Sequence, residues 1–74
     1  MGVAEDLADK LAVDAIAAAE KLGDDRLLEE IATAVGASSP TTEELFRTSV
    51  RVRIAEARAR KMLAAKLAAA KPPE

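Results

Sequence analysis

Asp25 and Glu29 stand one helical turn apart, with Asp24 and Glu30 adjoining them. Carboxylates at i and i+4 share a helix face and present hard oxygen donors of the kind that hold Mg²⁺ or Ca²⁺. The rest of such a site is missing from the sequence. No EF-hand loop pattern is present, and the Glu-x-x-His of carboxylate di-iron bundles cannot occur in a chain with no histidine. The four acids read as a solvated face, and neither a metal nor any other cofactor is expected. The second group is cationic. Arg47, Arg51, Arg53, Arg58, Arg60 and Lys61 set six bases against a single acid, Glu56, within fifteen residues. On a helix Arg47, Arg51 and Arg58 form one stripe, and Arg53 and Arg60 another. Such stripes neutralise phosphates or pair with acidic protein faces. Catalytic chemistry has little to work with. The chain has no His, Cys, Tyr or Trp, so most general bases and activated nucleophiles are absent. Ser38 and Ser39 have no histidine to activate them. Lys10 and Lys21 fall on a polar helix face, without the apolar pocket that activates a catalytic lysine. An enzyme is not expected.

The charge of the whole chain is divided. Residues 1–44 carry eleven acids and three bases, and residues 45–74 carry eight bases and two acids, so a net of −8 is followed by a net of +6. The formal sum of −2 conceals the division. The basic half must meet the acidic half of its own chain, that of a neighbouring copy, or an external polyanion.

Seventy-four residues make one small domain, and eighteen of them are Ala, which bury little apolar area. Small scaffolds usually gain further stability from a disulfide, a metal or association. The absence of Cys and His leaves association with a copy or a larger partner. No signal-like segment is visible and the longest apolar runs, such as Ala15–Ala19, are far too short to span a bilayer. The expected location is cytoplasmic. The stretch from Ala55 to Lys71 mixes apolar residues with cations, but it lacks Trp and further Phe, so membrane binding is not expected.

The elements that must position these residues are helices throughout. Ala, Leu, Glu, Lys and Arg dominate, and punctuation falls at Gly23-Asp24 and at Gly36–Pro40. The expected fold is all-α: a helical hairpin packed along a long third helix, in one domain over residues 1–70, with a frayed tail at 71–74. The first helix is expected at about 3–22, with a core stripe of Leu7, Leu11, Ala15, Ala18 and Leu22 within a wide apolar arc, and Gly23 at its end. The second is expected at 25–35, capped by Asp24, buried through Leu28, Ile31, Ala32 and Val35, and ended by Gly36. The third is expected at 41–70. Thr41-Thr42-Glu43-Glu44 fits a capping box, and Ser39 with Pro40 at the first helical position is the alternative start.

The third helix carries two apolar seams. Leu45, Val52, Ala59, Leu63, Leu67 and Ala70 lie on one line. Phe46, Val50, Ile54, Ala57, Ala64 and Ala68 lie on another, about 120° away at the helical period. Two seams imply two packing neighbours, and a homo-oligomer is expected. Val50, Ile54, Met62, Leu63 and Leu67 are the expected interface residues. Ser49 and Glu56 interrupt the heptad-like spacing, which points to a bundle edge rather than a zipper. The expected function is therefore a non-enzymatic oligomerisation, adaptor or regulatory module. The alternative is a small DNA- or RNA-associated protein, such as a nucleoid component or an oligomeric DNA-packaging subunit of small-terminase-like architecture. It would bind phosphates through Arg47, Arg51, Arg53, Arg58, Arg60 and Lys61. No terminase, helix-turn-helix, basic-zipper or zinc-finger motif is visible. With no Asn or Gln and one aromatic residue, Phe46, such binding would be without base readout or stacking. No small-molecule substrate is expected.

Overall fold

The computed structural model describes residues 2–70; the tail expected to fray, 71–74, lies outside them. Three helices follow one another, α1 (Val3–Leu22), α2 (Leu27–Ser38) and α3 (Pro40–Ala69), and no strand occurs among the described residues. Each helix end has a local cause. The Gly2 N–H donates to the Glu5 carboxylate at 2.7 Å, satisfying one of the donors at the start of α1. At the other end Gly23 adopts φ 62, where a side chain would be strained. There the Gly23 and Asp24 N–H groups donate to the Glu20 and Ala19 carbonyls, the paired bonds of a Schellman motif.

The start of α2 differs from expectation. Asp24 does not cap the helix; its Oδ1 accepts from the Arg26 N–H at 3.0 Å and folds the connecting turn instead, so α2 begins at Leu27. Gly36 does not end α2 either, and the helix continues to Ser38. A Cβ at Gly36 would collide with the Glu43 carboxylate, so this glycine leaves room for that side chain between α2 and α3. The third start is also corrected: the cap is Ser39, not Thr41. Ser39 is extended (φ −152, ψ 98), its Oγ accepts from the Thr42 N–H at 3.1 Å, and Pro40 occupies the first helical position. Ser39 is both the C-cap of α2 and the N-cap of α3, a break of one residue between two helices.

The core keeps Ala15 of the expected stripe of α1, with Leu11 packed beside it, but otherwise shifts to its alanine arc. Ala8, Ala12 and Ala15 are buried, together with Ala32 of α2 and Phe46 of α3, while Leu7 and Leu22 are exposed. The reason is steric. Both α1 and α2 pack on α3, and Ala at the contact lets helix axes come close around the Phe46 ring, the only large side chain fully buried among the described residues. Leu11, Leu28, Ile31, Leu45 and Val50 pack around this centre half-buried.

The N-terminal half of α3 lies on the hairpin and the rest is left uncovered by it. Every residue from Ala55 to Ala70 is exposed. At about 1.5 Å per residue this arm is about 22 Å long. The chain is therefore elongated, 58 × 30 × 13 Å, with a radius of gyration of 15.9 Å against about 11 Å for a compact chain of this length. No helix among the described residues is long and apolar enough to cross a membrane.

Candidate interaction surface

The arginines of α3 divide by what they touch. Arg47 sits half-buried between α2 and α3. Its two terminal nitrogens donate to the two Glu29 oxygens at 2.8 and 2.9 Å, and its Nε donates to Glu43 at 2.9 Å. These bonds raise the Arg47 pKa, and the Arg47 guanidinium holds the Glu29 carboxyl below its usual range. Glu29 is one of the carboxylates that sequence spacing offered to a metal, and in the structure it is occupied by a cation of its own chain. Arg53 forms a second fork, to Asp9 of α1, at 2.8 and 2.6 Å. The hydrogen bond from Arg53, aided by Ser49, lowers the Asp9 pKa. Arg47 and Arg53, which the sequence offered either to phosphates or to acidic protein faces, are thus bidentate clamps joining α3 to acidic residues of α2 and α1.

The remaining cations are exposed. Arg60 pairs with Glu56 one turn earlier at 2.7 Å, and Arg51 approaches Glu44 at 3.8 Å. Arg58, Lys61 and Lys66 have no carboxylate within ion-pair distance among the described residues. All three belong to the arm.

The apolar residues expected at an interface divide in the same way. Val50 packs against its own core, and Ile54 is half-buried. Met62, Leu63 and Leu67 stand on the arm at 62%, 54% and 66% exposure. Val52, on the same seam, is exposed as well. Ile54 lines an open groove of about 880 Å³ with Val13, Ile16 and Leu28. Glu20 and Asp25 border the groove on the hairpin side, and Arg58 and Lys61 on the α3 side. It is a shallow cleft, without the enclosed apolar cavity and convergent polar groups of a small-molecule site. No group of three or more acidic residues among the described positions is arranged to hold a metal ion.

Sequence reasoning placed the arginines on α3 but did not identify Asp9 and Glu29 as their receptors. Spacing within α3 cannot reveal a partner forty-four residues away, as Asp9 is from Arg53. No family model, curated protein or solved structure matches the chain. What the surface offers must be read from its own geometry: two internal clamps, and one uncovered amphipathic arm.

Proposed function

We propose that this chain is a non-enzymatic interaction module, an oligomerisation, adaptor or regulatory domain, and that the arm of α3 is its contact surface. The observation that carries this reading is the arm itself. A helix of about fifteen residues has little stability alone in water, and most helical stability in proteins comes from packing an amphipathic face. Here nothing among the described residues packs against the face carrying Met62, Leu63 and Leu67. The accessible surface, 5882 Å², exceeds by about 1,500 Å² the roughly 4,400 Å² expected for a compact monomer of 7.8 kDa.

The phosphate-binding alternative is weakened by the clamps. Arg47 and Arg53 are engaged across helices, which leaves Arg51, Arg58, Arg60, Lys61 and Lys66 as the other exposed cations of α3. That set supports at most weak, salt-sensitive contact with a polyanion.

The test is native mass, measured by light scattering on the purified chain and by gel filtration of a source-cell extract. The reading expects an assembly larger than one chain in at least one of the two, and its loss in Leu63→Asp. Leu63 is exposed and outside the core, so the variant keeps its helical spectrum. A single-chain mass in both settings, or an assembly indifferent to Leu63→Asp, refutes the proposal. Retarded DNA at low salt that is released when Arg58 and Lys61 become Ala would favour the alternative.

A further inference from the structure

We infer that the partner of the arm is a second copy of this chain, related by a two-fold axis, with the two α3 helices antiparallel. The inference rests on the proposed interaction role and specifies its partner. Three observations carry it.

The first is charge. Residues 2–54, the body, hold eleven acids and six bases, a net of −5. Residues 55–70, the arm, hold Arg58, Arg60, Lys61 and Lys66 against Glu56, a net of +3. A parallel pair would set arm on arm and body on body, like charge against like twice. An antiparallel pair sets each arm on the partner's body, unlike charge against unlike twice. Complementary potentials select orientation even where each exposed pair adds little stability.

The second is the seam. Leu45, Val52, Ala59, Leu63 and Leu67 follow one line along both halves of α3, all but Leu45 are exposed, and Glu56, which interrupts the line, pairs with its own Arg60 at 2.7 Å. An interface across a two-fold axis requires one patch complementary to itself. With the axis near Ala55, Leu63 of each arm meets the Leu45–Val52 stretch of the other copy, and Leu67 lies just past its Leu45 end. Lys66 and Glu44 flank the same side of this seam, so the same register brings arm cation to body carboxylate. Glu44 is open to such a partner, because its own Arg51 is no closer than 3.8 Å.

The third is area. A stable association of standard size takes about 800 Å² from each partner. The surplus surface of about 1,500 Å² over a compact chain is ample for that.

The chain contains no cysteine, so a single introduced thiol reports cleanly. Ala70→Cys places a spin label at the exposed end of the arm, next to the last residue of α3. The native mass of the labelled protein and the distance between labels are measured together, by light scattering and by dipolar spectroscopy. The inference expects twice the 7.8 kDa chain mass and a label separation of about 45 Å, from the helical rise over the two arms. Leu63→Asp should raise the dissociation constant at least about a hundredfold, since each substitution counts twice across the axis. A dimer with labels within about 20 Å overturns the antiparallel arrangement, as does one in which the unlabelled Ala70→Cys thiols join readily in a disulfide. A purified monomer that joins a larger assembly only in cell extract overturns the self-partner and leaves the interaction role standing. A monomer in both settings overturns the two together.

Discussion

Replacing Phe46 by Ala should remove most of the stability of this fold. Phe46 is 1% exposed, and its four fully buried companions are all Ala. The ring is therefore the one large apolar group that the three helices share. Truncating a buried Phe costs about 3–5 kcal/mol, as lost transfer energy plus the cavity left behind. A shallow cleft of about 130 Å³ already borders Phe46, together with Leu28, Ala32 and Val50. Water can enter the truncated site from that side, which places the cost near the lower end, about 3 kcal/mol. At ~0.05–0.15 kcal/mol per residue the domain has about 4–11 kcal/mol in total. The assay is urea unfolding followed by circular dichroism at fixed protein concentration, because association adds to apparent stability. With a slope of about 1 kcal/mol per molar urea, the midpoint should fall by about 3 M, or the variant should be unfolded before urea is added. Leu22→Ala is the control: Leu22 is a larger apolar residue than any of the buried alanines, but it is exposed, and its removal should change stability by under about 0.5 kcal/mol. A Phe46→Ala loss below about 1 kcal/mol, or an equal loss from Leu22→Ala, would refute the reasoning that Phe46 and the alanines form the core.

Three further perturbations test the packing and the clamps. Ala12→Leu adds volume to a position with no exposure and should destabilise by about 1–3 kcal/mol in the same urea assay, although Leu suits a helix nearly as well as Ala. The Asp9 and Glu29 carboxyls have native pKa values below their ordinary 3.8 and 4.5, because Arg53 and Arg47 hydrogen-bond to their charged forms. Their contribution is thus complete above those ordinary values and is lost as pH falls through the depressed native ones. Thermal melting should show an acid limb beginning below about pH 4.5, and Asp9→Asn should make it shallower; an unchanged limb would remove the Arg53 clamp from the account. Gly36→Ala should gain less than the usual ~0.5–1 kcal/mol of helix propensity in the native background, because the new Cβ displaces the Glu43 carboxylate from Arg47. It should gain the full amount when Glu43 is also Ala, and equal gains in the two backgrounds would show that no coupling exists.

Much of this protein is determined by its sequence alone. Helical composition, the two breaks and the charge division yield an all-α fold of three helices, because helix propensity and glycine or proline punctuation act over a few residues. Gly23 ends α1 where a left-handed residue is needed, and Ser39 with Pro40 starts α3 by a rule confined to four residues. The stripe of α2, from Leu28 to Val35, is legible because only one arc of that helix is apolar. The cationic face of α3 is equally local.

What the tertiary structure alone decides is which of several apolar arcs faces inward and which charges meet. In α1 the Leu arc and the Ala arc adjoin, and periodicity cannot rank them. The close crossing on α3 chooses alanine and turns Leu7 and Leu22 outward. Gly36 carries the ordinary signal for a helix end, yet the approach of Glu43 makes it an interior contact. Arg53 finds Asp9 and Arg47 finds Glu29 because two helix pairs bring them together, so they act as structural clamps while Arg58, Lys61 and Lys66 stay in solvent. The arm exists for the same reason. Helix length follows from local residues, but where its cover stops depends on how far the hairpin reaches, and that is settled only when the helices pack.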